Sequence, residues 1–372
     1  MQSNIFDNCL QDPENSLVAK AIEQGGIPVG YTCSMVPEVL LSVPPMFPLR
    51  MRAPGVGGTE IADIYLSNLT CSYTRSLLEM ATDFRYDFLA GWVNAASCDH
   101  LRRFHDNLEY LITPEFSHIL DVPHRWGGQA LEWFTDELNN LLKRLRQHFD
   151  MQISGQDIEK AISDHNEFLN LLSGISELRK LDNPPVSGTE FSRMMLAAIT
   201  TPRELIREKI VQFRQNLEKT QSIDNYRARL MIVGGQLDDP DYIRTIESTG
   251  ALVVADRVCT GSIPGLEPIE LGNDPIGSIA EHTLFTPSCP RMMEDFNKRL
   301  QQILEAAQKF RVDAIVLEYI KFCDIWGVEI GALIPAIKEH GYPVLCLERE
   351  YHGTETGQLQ TRVQAFLESM GR

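Results

Sequence analysis

The sequence predicts an α/β protein: two parallel-sheet, Rossmann-like domains related as a loose internal repeat, with a helical region between them. Three observations predict it. Short apolar, β-branched runs alternate with amphipathic stretches in both halves of the 372-residue chain. The stretch from 151 to 224 reads as helix and breaker without such runs. Three cysteines recur in each half in a similar local context. The expected organisation is an N-terminal α/β domain over 1–150, a helical region over 151–224 and a C-terminal α/β domain over 225–372. At roughly 100–200 residues per domain, the length accommodates this.

In the N-terminal part, a helix ends at Gly25-Gly26, IPVGYTC is strand-like and VPEVLLS begins a helix. MRAPGVGGTE is loop. YDFLAGWV reads as a second strand, followed by a helix with Leu101, Phe104, Leu108 and Leu111 on one side. In the middle, ISGQDIEKAISDHNEFLNLLSGISELRKL is a helix that Ser154 can cap, with Ile158, Ile162, Phe168, Leu169 and Leu172 mostly on one face. LDNPPVSG interrupts it, since two prolines and a glycine cannot continue a helix. Thr201-Pro202-Arg203-Glu204 has the form of a capping box with proline at the first helical position, starting a helix that runs to about Lys219.

The C-terminal part alternates regularly. RLMIVGG, ALVVAD, VDAIVLEYI and PVLCLE are strands. DPDYIRTIESTG, PRMMEDFNKRLQQILEAAQKF and IWGVEIGALIPAIKEHG are the helices between them, and the closing helix carries Leu359, Val363, Phe366 and Met370 as one apolar stripe. Such alternation builds a parallel sheet covered by helices.

Composition narrows the function. The chain is 43% hydrophobic and carries a net charge of −17, a field that repels a phosphate backbone, so nucleic acid is not an expected partner. No apolar run approaches the ~18 residues of a membrane span. The N-terminus is polar and acidic, unlike a secretory signal, so a cytoplasmic location is expected.

Eight cysteines stand at 9, 33, 71, 98, 259, 289, 323 and 346, with no Cys-x-x-Cys among them. The usual zinc-ribbon and thioredoxin spacings are therefore absent, and a metal site would have to be assembled from distant segments. Comparing the halves pairs six of them. Strand-like segments lead to Cys33 and Cys259, Cys71 and Cys289 open predicted helices, and strands precede Ser97-Cys98-Asp99 and Phe322-Cys323-Asp324. Helix N-termini expose unpaired N–H groups that stabilise thiolates and anionic clusters. If the halves face each other, six thiolates converge on one cleft, and an iron–sulfur site is expected. Isolated cysteines are ordinarily small core hydrophobes, and Cys346 within PVLCLE fits that description. Cys9, in the polar N-terminus, is expected to be incidental. A metal-free α/β binding protein with buried thiols is the alternative at this point.

The same segments resemble the 2-hydroxyacyl-CoA dehydratase family, which includes the 2-hydroxyglutaryl-CoA dehydratase D-component type, benzoyl-CoA reductase subunits and double-cubane cluster proteins. The resembling pieces are GYTCSMVPEVL, ADIYLSNLTCSYTRS, SCDHLRRFHD, DDPDYIRTIESTGALVVADRVCTGS, KFCDIWGVE and TGQLQTRVQAFLE, in order along nearly the whole chain. The resemblance implies an oxygen-sensitive iron–sulfur catalytic component of a low-potential reductase or dehydratase. Its reductant would be a separate ATP-hydrolysing iron–sulfur activator protein. It also implies a homodimer, or a heterodimer with a related subunit, and a small-molecule or acyl-CoA substrate. In single-cluster relatives the 4Fe-4S ligands would correspond to Cys71, Cys98 and Cys323. In double-cubane (8Fe-9S) relatives Cys33, Cys259 and Cys289 join them, and this chain has cysteine at all six. The alternatives are a single-cluster acyl-CoA dehydratase or reductase subunit and a non-catalytic electron-relay subunit. CTGS here runs into IPGLEPIE, where the resemblance leads one to expect a basic and an aromatic residue.

No catalytic acid or base is assigned. GVGG at 55–58 lacks the lysine of a phosphate loop. The GGQ at 234–236 follows a strand and suits either a ligand contact or a tight turn. Asp99 and Asp324 are read as early-helix acids, Arg75, Arg102 and Arg103 as counter-charges or solvent-facing residues, and His100, His105 and His352 share no ligand spacing.

Overall fold

The computed structural model of the chain describes residues 5–263, 266–286, 289–351, 353 and 356–372, so His352 lies outside the described residues. Two short helices, α1 (Asp7–Leu10) and α2 (Ser16–Glu23), lead into β1 (Ile27–Tyr31). After a 3-10 turn at Glu38–Ser42 come β2 (Met46–Arg50), α3 (Ala62–Tyr65), α4 (Ser72–Thr82), β3 (Gly91–Ala95), α5 (Asp99–Leu111) and β4 (Ser117–Leu120). The long helices α6 (Gly128–His148) and α7 (Gly155–Leu178) are followed by α8 (Gly188–Ile199) and α9 (Arg203–Leu217). The second half runs β5 (Ala228–Gly234), α10 (Pro240–Glu247), β6 (Ala251–Arg257), α11 (Pro275–Phe285) and α12 (Phe296–Lys309), then β7 (Ala314–Ile320), α13 (Asp324–Glu339), β8 (Val344–Arg349) and α14 (Thr356–Ser369).

Each half forms a four-stranded, all-parallel sheet. The orders are β2-β1-β3-β4 and β6-β5-β7-β8, one topology used twice. The expected α/β architecture with a repeated sheet is therefore present. All seven residues of β5 are buried, as a central parallel strand covered on both faces requires. In each sheet the chain reverses direction of travel between the first and third strands. Ligands of such sheets bind beyond the carboxyl ends of the strands at that switch point.

Several elements differ from the sequence reading. The YDFLAGWV strand begins only at Gly91, because Phe84 takes a left-handed φ of 59° and 84–89 is a run of turns. VPEVLLS closes as a 3-10 turn rather than an α-helix. MFPLR is a strand despite Pro48, which is tolerated because β2 is an edge strand paired only with β1. The PRMMEDF segment is not helical: turns at Cys289–Met292 and Met292–Asp295 delay α12 to Phe296. Pro202 stands at the N-cap of α9, one position earlier than expected, and no side chain caps that helix. Helix α8 has no counterpart in the sequence reading, although Ser187 and Glu190 form a capping box at its start.

The cores interleave along the chain. Phe6 and Cys9 pack with α7, α8 and α9, so Cys9 is a buried core residue and not an incidental one in a polar tail. Ile269, Ile276, Ile279 and Leu284 pack in the core of the first sheet with Phe134, Leu138 and Leu142 of α6.

Candidate functional site

Four of the six paired cysteines leave the carboxyl ends of strands. Cys33 follows β1, Cys98 follows β3, Cys259 follows β6 and Cys323 follows β7. Cys98 and Cys323 are topologically equivalent, each after the third strand of its half. Cys33 and Cys259 are not: the first follows a central strand, the second an edge strand. The pairing of these two read from the sequence is thus replaced by neighbouring exits. Cys71, Cys98 and Cys323 are the N-caps of α4, α5 and α13, whereas Cys289 opens no helix. The Cys323 turn is strained, with Phe322 at φ 63°.

Burial pushes five of these thiols up: Cys289 to about 11, Cys323 to about 12, and Cys71, Cys98 and Cys259 in the same direction. Their mutual repulsion adds to this and groups them. Cys71, Cys98 and Cys323 act on one another, as do Cys33, Cys259 and Cys289. Cys98 with Cys33, and Cys323 with Cys259 and Cys289, link the two triads. Opposing the rise, the N–H groups of Thr74, Leu101 and Trp326 in the first helical turns favour the thiolates, without closing a full capping hydrogen bond. Cys346 packs part-buried against the second sheet's core and, like Cys9, has no partner in either triad.

In a chain of net charge −17, buried cations surround these thiols. Arg50 lies beside Cys33 and Cys259, Arg75 beside Cys71, and Arg291, 1% exposed, beside Cys289, Cys33 and Cys98. Arg299 pairs with Glu329 at 2.6 Å and donates to the Cys289 carbonyl at 3.1 Å. Arg50 also ties the halves together, donating to Ser34 Oγ at 3.0 Å and Gln236 Oε1 at 2.9 Å, while Ser34 donates to the Cys259 carbonyl at 2.9 Å. The GGQ segment is therefore part of the site. A Cβ on Gly234 would stand 2.2 Å from the Glu318 carbonyl and one on Gly235 2.9 Å from Trp326, so only glycine lets β5 end there.

His100, to which the sequence reading gives no role, is a partner in the site. Its Nδ1 accepts from the Cys71 N–H at 3.3 Å, and its Nε2 faces Asp324 at 3.4 Å. It thereby links the triad's first cysteine to the helix that follows its third. Spacing offers no signal, since His100 and Asp324 lie in different halves. Arg75 donates to Asp63 at 2.8 Å and to the Thr70 carbonyl at 3.0 Å, and is not solvent-facing. Arg103 is exposed and pairs with Asp106.

Among the described residues, no group of three or more His, Cys, Asp and Glu side chains is arranged to hold a single metal ion. None of their helices is long and apolar enough to cross a membrane.

Over residues 33–370 the chain matches the family described as 2-hydroxyglutaryl-CoA dehydratase, D-component. It is 23% identical to the (R)-phenyllactyl-CoA dehydratase beta subunit of Clostridium sporogenes, over 99% of this chain and 98% of that protein. It is 21% identical to one of the benzoyl-CoA reductase subunits of Thauera aromatica, over 89% and 87%. It is 20% identical to the beta subunit of (R)-2-hydroxyglutaryl-CoA dehydratase from Acidaminococcus fermentans, over 95% of each. These relatives are named as subunits of dehydratases and of a reductase, and they match the chain nearly end to end. This chain belongs to the 2-hydroxyglutaryl-CoA dehydratase D-component family.

Proposed function

We propose that this chain is the iron–sulfur component of a multi-subunit reductase or dehydratase, with Cys71, Cys98 and Cys323 holding one cubane and Cys33, Cys259 and Cys289 a second. The observation that carries this reading is the grouping of six cysteines from both halves, Cys71 buried and the other five part-buried, into two mutually acting triads. The donor set fits such a group on chemical grounds. Thiolates of a cubane each bind a different iron and stand apart by the width of the cluster, so a site without a single-ion arrangement is compatible with one. Arg50, Arg75, Arg291 and Arg299 offset the negative charge of ligated thiolates, and first-turn N–H groups stabilise three of them. Three ligands per cubane leave an iron for substrate or for the other cubane. Bound clusters would supply low-potential electrons.

The chain's own residues hold the ligands. Burial favours the protonated form of Cys71, Cys98, Cys259, Cys289 and Cys323, so loading the site would release protons, which the buried arginines favour. The names of the relatives support an acyl-CoA substrate and a partner subunit; the extra cysteine triad supports a small reducible molecule. A separate ATP-hydrolysing activator belongs to the same reading.

The test is iron and acid-labile sulfide per chain on protein purified without oxygen. About eight irons supports two cubanes, and about four supports a single cluster on Cys71, Cys98 and Cys323. No iron in protein never exposed to air sinks the proposal. Cys98→Ser is expected to lower the iron content, whereas Cys346→Ser leaves it unchanged.

A further inference from the structure

Arg50, Arg75, Arg291, Arg299 and Glu318 flank the two cysteine triads, and all of them are buried. Three of these charges are matched. Arg75 donates to Asp63 at 2.8 Å, Arg299 pairs with Glu329 at 2.6 Å, and Glu318 accepts from Arg349 at 2.8 Å. Arg50 and Arg291 are not matched. Arg50 gives its Nη groups to Ser34 Oγ and Gln236 Oε1, and Arg291 gives its own to the carbonyls of Pro123 at 2.7 Å and Val122 at 2.6 Å. All of these acceptors are neutral. Neither guanidinium forms an ion pair with a carboxylate among the described residues, and the Nε of each has no partner.

Both unmatched cations stand at the same triad. Arg50 reaches the Cys259 turn through Ser34, which donates to the Cys259 carbonyl at 2.9 Å, and Arg50 and Cys259 line one cavity. Arg291 follows Cys289 in the same turn and acts most on Cys289 and Cys33, less on Cys98. Around Cys71, Cys98 and Cys323 the buried charges cancel in the Arg75–Asp63 and Arg349–Glu318 pairs. Asp99, Arg102, Lys321 and Asp324 adjoin that triad in sequence, are exposed or part-exposed, and carry both signs equally. Solvent and salt screen them, as they screen the exposed Asp121 and Glu294 near Arg291.

A buried cation without a counter-charge is costly, and an anion formed beside it offsets that cost. An electron added to an iron–sulfur cluster makes it more negative, so an unmatched buried cation favours the reduced form more than a paired or exposed one does. We propose that Arg50 and Arg291 set the order of reduction, making the group held by Cys33, Cys259 and Cys289 the first to take up an electron. This inference rests on the two-cubane reading above. An electron that a low-potential donor delivers to the Cys71, Cys98 and Cys323 side passes to the other side, with no bond made or broken. It comes to rest beside the cavity that Arg50 and Cys259 line.

The test is a redox titration of the full chain, purified without oxygen, followed by electron paramagnetic resonance with iron counted on every sample. The signal that wild type shows at the higher potential is expected to persist in Cys98→Ser and to be lost in Cys259→Ser. Arg50→Gln and Arg291→Gln are each expected to disfavour that reduction about tenfold, a fall of about 59 mV for one electron. Arg50→Lys, which keeps the charge, stays within about threefold of wild type. Arg103→Gln, which removes an exposed cation paired with Asp106, stays within about twofold. Loss of the first signal in Cys98→Ser with its retention in Cys259→Ser overturns the order of reduction, whatever the arginine variants do. An unmoved midpoint in both glutamine variants at full iron content overturns the role of the two arginines. Either result at about eight irons per chain leaves the two-cubane reading standing and removes only this inference. Iron for one cubane or none overturns that reading, and this inference with it.

Discussion

His118 shows how one buried side chain makes stability depend on pH. Its Nδ1 accepts from Arg144 at 2.8 Å, and burial, reinforced by the Arg144 charge, lowers its pKa to about 4. Above the ordinary imidazole range both folded and unfolded chains hold it neutral, so it contributes no pH dependence there. As pH falls from about 6.5 toward 4, the unfolded chain takes up a proton that the folded chain refuses, and stability is lost across that window. The loss from this residue is about 2–3 kcal/mol. Urea unfolding at pH 7 and pH 4.5 is expected to show a smaller difference in His118→Gln than in wild type. An identical difference in the two proteins would rule out this account.

At the level of elements, α8 is held to the second sheet by its first turn. Glu247 at the end of α10 accepts from the Gly188 N–H at 2.8 Å, the Thr189 N–H at 3.1 Å and the Val253 N–H at 3.1 Å, clamping helix to strand. A Cβ on Gly188 would lie 2.5 Å from Val253 Cβ and 2.6 Å from its carbonyl oxygen, and backbone cannot move aside cheaply. Gly188→Ala is therefore expected to cost about 1–3 kcal/mol in urea denaturation, although alanine is the better helix former. A neutral or stabilising result would mean that the α8–β6 packing gives way more easily than its geometry implies. The sequence shows the capping box of this helix but not the clamp, because Glu247 lies in a different element. The Ser154 cap and the face of α7 are legible, since Ser154 closes a full capping box with Asp157 and the five apolar residues named for that face are all buried. The start of α12 is not, because turn hydrogen bonds across 289–295 outcompete the proline signal.

At the scale of the whole molecule, a buried polar seam joins the two sheets. Arg52, following β2, pairs with Asp238 at 3.1 Å and donates to its carbonyl at 2.9 Å. Tyr351 donates to the same carboxylate at 2.5 Å, and its hydroxyl accepts from the Ala53 N–H at 2.9 Å. Asp238→Ala leaves the Arg52 charge buried and unpaired, which costs about 3–5 kcal/mol. Chemical denaturation is expected to show that loss, and a change below about 1 kcal/mol would mean that solvent reaches Arg52 when its partner is removed.

The sequence by itself determined the α/β class, the repeated parallel sheets, the long capped helix and the six cysteines worth comparing, together with the family they belong to. These follow from periodicity, capping residues and strand-to-helix order, which are local properties of the chain. Only the tertiary structure decided that Cys33 and Cys259 leave non-equivalent strands, that His100 links Cys71 to Asp324, and that four arginines of an acidic chain turn inward toward the thiols. Electrostatic partnership depends on distance through space. Where two sheets face each other, residues more than two hundred positions apart become neighbours, as Ser34 and Cys259 do. Neither spacing nor composition carries that information.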